Sequence, residues 1–190
     1  PQRLSNWWIF DIGFANYFDA TSYSDPSFKQ PLKGAPMNAK SFSLNNTKSS
    51  NVNIWIVQKK VPLSSEHWFF KYGIGWQMYN FRFDQPISYR NEGPTYVYLD
   101  SKTFSKDKLY VNYLSVPLML NYTSYDHKGI NISAGLNVGY LVGSRNKQIA
   151  ENKMKYGGKF NLNDFQVAAT GEIGVGSVNL YGTASLTNLY

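Results

Sequence analysis

Four ionisable side chains sit on the small, polar side of otherwise apolar alternating segments: Asp11, Lys71, Arg145 and Glu172. Opposite charges gathered where water is scarce form a salt-bridge network. The same set could gate ions or carry a proton path. The plainer outcome is a filled, mutually neutralised interior, and it needs only proximity. Losing one member of a dry pair costs roughly 3–5 kcal/mol, because a lone charge stays behind. The two histidines are His67, beside Glu66, and His127, beside Asp126. With a serine they could serve a hydrolase or acyltransferase, and they could share a metal if their turns met. No nucleophile motif surrounds them, and both fall in short turns, so surface turn residues are the expectation. The glycines of the alternating segments lack the strand–loop–helix setting of a phosphate loop. Without cysteine, disulfides and thiolate metal sites are excluded. A non-enzymatic chain with no cofactor is expected.

What must position these residues is a set of β-strands. Trp68 to Phe83 reads W-F-F-K-Y-G-I-G-W-Q-M-Y-N-F-R-F. One parity carries Trp68, Phe70, Tyr72, Ile74, Trp76 and Met78, and the other carries Phe69, Lys71, Gly73, Gly75, Gln77 and Tyr79. A period of two is the mark of a strand, whose side chains alternate between faces. A continuous aromatic wall opposite Gly, Lys and Gln fits a narrow barrel with lipid outside. The reverse arrangement, aromatics inward, would make a soluble calycin-like carrier.

Six further strands follow the same logic. The first runs from about Trp7 to Tyr17, with Trp8, Phe10, Ile12 and Phe14 on one face and Asp11, Gly13 and Ala15 on the other. The second, near Val52 to Leu63, alternates too weakly for its faces to be assigned. The fourth, Lys108 to Thr123, sets Leu114, Val116, Leu118, Leu120 and Tyr122 outward, and Pro117 predicts a bulge or bend. The fifth, Ile130 to Lys147, sets Leu136, Val138 and Tyr140 outward. The sixth is Phe165 to Val175, and the seventh is Val178 to Tyr190 after a Gly176-Ser177 turn. The expected lipid-facing set includes Trp8, Phe10, Trp68, Phe70, Trp76, Leu114, Leu118, Leu136 and Tyr140.

Connections alternate between long and short, as in outer-membrane barrels. Long loops cover about Phe18 to Ser50 and Asp84 to Asp107, and a basic loop follows the fifth strand. The length of 190 residues suits one domain, 1–190. Aromatic residues make up 17%, enough for girdles at two interfaces. The mean hydropathy of -0.39 does not oppose membrane insertion, because only alternate strand residues meet lipid. An even strand number is the rule, so a closing strand is expected after Tyr190, with Ser41 to Leu44 as the other candidate. An export signal is expected to have been removed.

Tyr113 to Tyr122 (Y-L-S-V-P-L-M-L-N-Y) and Gly129 to Lys147 (G-I-N-I-S-A-G-L-N-V-G-Y-L-V-G-S-R-N-K) resemble the outer membrane protein beta-barrel domain family of small porin-like Gram-negative proteins. Tyr-Gly-Ile-Gly of the third strand and Asn161 to Phe165 extend the resemblance, which covers roughly Val52 to Tyr190. It implies an eight-stranded antiparallel up-and-down transmembrane barrel in the outer membrane, with no shared catalytic residues.

The net charge is +7, and Arg145, Lys147, Lys153, Lys155 and Lys159 face only Glu151 over that stretch. On the long-loop side, Lys147, Lys153, Lys155 and Lys159 could meet lipopolysaccharide phosphates or a protein partner, or stay solvated. No nucleic-acid module is present. Since eight strands enclose a bore that side chains just fill, the expected role is a structural or accessory subunit that docks envelope partners through its long loops. The alternative is a porin-like channel for small solutes, and an outer-membrane enzyme acting on lipid is a third class.

Overall fold

A computed structural model describes residues 4–17, 33–34, 37–63, 66–93, 95–124, 129–176 and 178–190. Ten strands lie among them: β1 (Ser5–Phe14), β2 (Ser50–Pro62), β3 (Trp68–Arg82), β4 (Ile87–Asn91), β5 (Thr95–Leu99), β6 (Lys106–Thr123), β7 (Ile130–Ile149), β8 (Lys153–Gly157), β9 (Phe165–Val175) and β10 (Val178–Ser185). One antiparallel sheet runs in the order β1-β2-β3-β6-β7-β9-β10, with β8 added beside the top of β7. It is curled into a half-barrel whose edges, β1 and β10, do not pair with each other. The short hairpin β4-β5 forms a separate sheet.

All seven long strands expected from alternation are present, and their ends move by a few residues. The last ends at Ser185 rather than Tyr190. Beyond it, Asn163 N–H donates to the Leu189 carbonyl at 3.0 Å, which ties this segment to the entry of β9. Two segments read as loops contain strands. Ile87–Asn91 and Thr95–Leu99 form a hairpin around Gly93, whose φ of 83° needs glycine. Lys153–Gly157 pairs with Arg145–Ile149. Charges and turn residues masked the alternation in both. Most of the Phe18 to Ser50 loop lies outside the described residues. Its later part makes a single 3-10 turn at Ala39–Phe42, and Ser41 to Leu44 adds no long strand.

Bulges decide which residues face inward. The β2-β3 register shifts between Trp55 and Val57, so Asn51, Asn53 and Trp55 point inward before the shift and Gln58 and Lys60 after it. One extra residue exchanges the two faces of everything after it. Opposite this bulge, Trp8 adopts φ 53°, and Trp7 and Trp8 both lie on the outer surface. A second shift, between Asn112 and Tyr113, places Leu141 inward, Val142 outward and Ser144 inward. Pro117 produces no register shift. The β3-β6 ladder skips the positions around Gly73 and Ile74 and resumes in the same register.

Candidate functional site

The lower bore, toward the short turns, is polar inside and apolar outside. Lys71 is 8% exposed and makes a salt bridge with Glu172 across the lumen, from β3 to β9. Lys60 stands directly opposite Lys71 in the β2-β3 pairing. Asp11 accepts hydrogen bonds from Trp55 Nε1 at 2.7 Å and Asn53 Nδ2 at 3.3 Å. Gln77 Oε1 accepts from Ser115 Oγ at 3.0 Å and from Asn137 Nδ2. Asn121 Nδ2 donates to Ser133 Oγ at 2.9 Å. Buried polar groups must find partners, and most of these find them in one another, although Asn137 Oδ1 is buried without a hydrogen-bond partner. Gly75 sits opposite Trp55, and a Cβ there would lie 2.4 Å from the Ile54 carbonyl oxygen and 2.8 Å from the indole. Its lack of a side chain is what lets the Trp55 ring turn into the bore. Tyr181 OH donates to Asn51 Oδ1 at 2.7 Å, joining β10 to β2 across the bore. A cavity between Asp11, Gln77, Asn137 and Glu172 measures about 10 Å³, room for a single water.

Above this the chemistry reverses. The inward residues become Tyr79, Phe81, Leu109, Val111, Tyr113 and Leu141, and the outward ones become Asn80, Arg82, Lys106, Lys108 and Tyr110. The β4-β5 hairpin folds into this apolar mouth. Ile87, Tyr89 and Val97 are 0% exposed and pack with Phe83, Leu109, Phe160 and Leu162. Met37 and Phe42 join the same cluster. The free edge of β4 is satisfied by side chains of β7. Tyr89 N–H donates to Asn146 Oδ1 at 3.2 Å, and Gln148 Nε2 donates to the Ile87 carbonyl at 3.2 Å and Ser88 Oγ at 2.7 Å. The hydroxyls of Tyr89 and Tyr190 meet at 2.6 Å, and burial raises the Tyr89 hydroxyl well above its ordinary pKa. Asp107 closes this layer by accepting from Asn146 Nδ2 at 3.1 Å, and burial pushes its carboxyl up to about 7.

Of the four expected lumen charges, the structure joins Lys71 and Glu172 and places Asp11 among amide and indole donors. Arg145 is a correction. It is exposed on the outer face of β7, because the shift beside Val142 exchanges the faces above it. Lys60, which sequence reasoning missed, lies in the lumen, and only the bulge before it reveals its parity. Trp8, Phe10, Trp68, Phe70, Leu118, Leu136 and Tyr140 are exposed on the outer surface, and Trp76 and Leu114 are half-buried on the same face.

Lys147, Lys153 and Lys155 share the outer face of β7 and β8. Lys159 lies apart, in an exposed pair with Asp164 at 2.7 Å. His67 Nδ1 meets the Thr123 carbonyl at 2.9 Å, linking two short turns, and its ring stacks on Tyr122. His127 lies outside the described residues. Among the described residues, no group of three or more His, Asp or Glu side chains could hold a metal.

The family model described as outer membrane protein beta-barrel domain matches residues 14–190. No curated protein and no solved structure matches the chain.

Proposed function

Because the chain belongs to the outer membrane protein beta-barrel domain family, and is therefore an outer-membrane barrel protein, we propose that it is a stoppered, non-enzymatic barrel. It serves as a structural or accessory subunit that docks envelope partners through the end bearing the long loops. The observation that carries this is the β4-β5 hairpin seated in the bore, with Tyr89 and Val97 wholly buried. A conducting pore needs a continuous aqueous path. Here a polar plug built on the Lys71–Glu172 pair lies below an apolar one. Outside, the apolar band from Trp68 to Met78 on β3, and from Leu114 to Tyr122 on β6, matches the roughly 9–11 tilted residues that cross a bilayer. The strands rise beyond it and carry polar surface into the space where partners would be met.

Two measurements test this reading. Co-purification from native envelopes is expected to retain stoichiometric protein partners, and these are expected to be lost when the surface of β8 and the adjoining loops is altered. Planar bilayers holding the protein are expected to stay electrically quiet. Steady currents through the unmodified protein would replace this reading with a porin-like channel for small solutes.

A further inference from the structure

Pairing brings four cations into one row. Arg82 of β3 lies opposite Lys108 of β6, Lys108 opposite Lys147 of β7, and Lys147 opposite Lys155 of β8. All four belong to the outward parity of their strands. Neighbouring strands are about 4.8 Å apart, so the row is about 14 Å long. Lys106 and Lys153 flank Ile149 in the row above, and Arg145 faces Tyr110 in the row below. None of these seven cations forms a salt bridge among the described residues.

Like charges directly opposite one another across strands destabilise a sheet. The strain registers at Lys108, whose ammonium is pulled down to about 8 by burial and by Lys106, Lys147, Arg82 and Lys153. Lys147 is lowered by burial and by Lys155, Arg145 and Lys153. Neighbours steady the side chains without neutralising them. Lys108 Nζ donates to Asn80 Oδ1 at 2.6 Å, Arg82 donates to the Ser105 carbonyl at 2.8 Å, and Lys147 Nζ lies 4.4 Å from the Tyr110 ring centre. A row of this kind calls for a polyanion.

Position selects which one. On β3 the last outward apolar residue is Met78, four residues below Arg82. That is about 13 Å along the strand, and less along the membrane normal once the strand tilts. Long Lys and Arg side chains reach down across that gap toward the headgroups. We propose that Arg82, Lys108, Lys147 and Lys155 bind the phosphates of a multiply phosphorylated glycolipid in the leaflet bordering the long-loop end. Arg82 would grip one phosphate through its planar fork, and the lysines would act as point charges along the row. A single phosphate can touch only two neighbouring cations, so a headgroup with two phosphates is the better fit. The proposal rests on membrane insertion but not on the stopper, so a finding of conductance leaves it standing.

The test uses the full chain in neutral detergent with three lipids: bisphosphorylated lipid A, its monophosphorylated form and its phosphate-free form. Retention is expected to fall in that order. Lys108→Gln with Lys147→Gln is expected to weaken the bisphosphorylated lipid about tenfold or more, as for the loss of two charge-assisted contacts. Lys159→Gln, off the row, is expected to change nothing. Melting of each variant shows that it is folded, and loss of like charges is expected to leave the sheet intact. The proposal is overturned if the phosphate-free lipid binds equally well, or if the double variant binds like the parent. It is equally overturned if Lys159→Gln loses as much, or if millimolar inorganic phosphate displaces the lipid completely.

Discussion

The lower and upper halves of the same strands obey opposite rules. Along β3, Lys71 and Gln77 face inward and Trp68 to Met78 carry the apolar exterior, whereas above them Tyr79 and Phe81 face inward and Asn80 and Arg82 face out. Strand β6 makes the same exchange, between Ser115 and Tyr113 inside and between Leu114 and Asn112 outside. The backbone continues unbroken through the change, and only its surroundings differ. Lipid outside makes apolar groups the exterior and leaves polar groups to satisfy each other within. Water outside restores the ordinary order, with an apolar core and a charged surface. On the proposed insertion, the height of the exchange is where the edge of the membrane is expected.

Several changes would break or sharpen that contrast. The largest effect is expected for Tyr89→Ala, which empties a fully buried aromatic site in the upper core and should cost about 3–5 kcal/mol. Phe70→Ala, on the lower outer face, should leave melting in detergent far closer to the parent. Equal losses would mean that the two halves do not differ as described. Because the Lys71–Glu172 plug lies below it, Tyr89→Ala alone should leave planar bilayers quiet.

Lys71→Met comes next, at about 3 kcal/mol, because Glu172 would be left in the bore with Lys60 alone to face it. Adding Glu172→Leu should recover most of that loss. A single variant that melts like the parent would show that the pair contributes nothing. For Asp107 the sign follows from its raised pKa. The folded state holds a proton that the unfolded state releases near 3.8, so stability is greatest below that value and declines as pH climbs to about 7. Asp107→Asn should flatten melting temperature across this window, and an unchanged slope would remove Asp107 as its source. The smallest effect is expected for Lys147→Gln. Relief of like-charge contact should raise stability by about 0.2–1 kcal/mol at low salt, and the gain should vanish at high salt.

Alternation alone was enough to read the long strands, because lipid or solvent on one side and a packed bore on the other repeat every second residue. It failed where one residue is added. Ile56 and Val142 each hide a change of face, which is why the sequence of β2 has no clear faces and plain alternation puts Arg145 in the lumen. It failed again where water replaces lipid. Ile87 to Asn91 is nearly all buried, yet its mixture of Ser, Tyr and Arg looks like a surface loop until its partners Asn146 and Gln148 are known. The cation row was invisible for a different reason. Lys147, Lys153 and Lys155 stood together in the chain, but Arg82 and Lys108 reach them only through strand register.

The hairpin's resting place also sets an order of events. Ile87, Tyr89 and Val97 settle against Phe160 and Leu162, and Tyr89 meets Tyr190, residues that the chain supplies some sixty positions or more later. Contacts so distant in sequence must await the curling of the wall that carries them. During biogenesis the molecule should therefore pass through an unplugged stage, a cup with an open throat, and a protease added briefly from the long-loop side should cut within this hairpin at early times and spare it later.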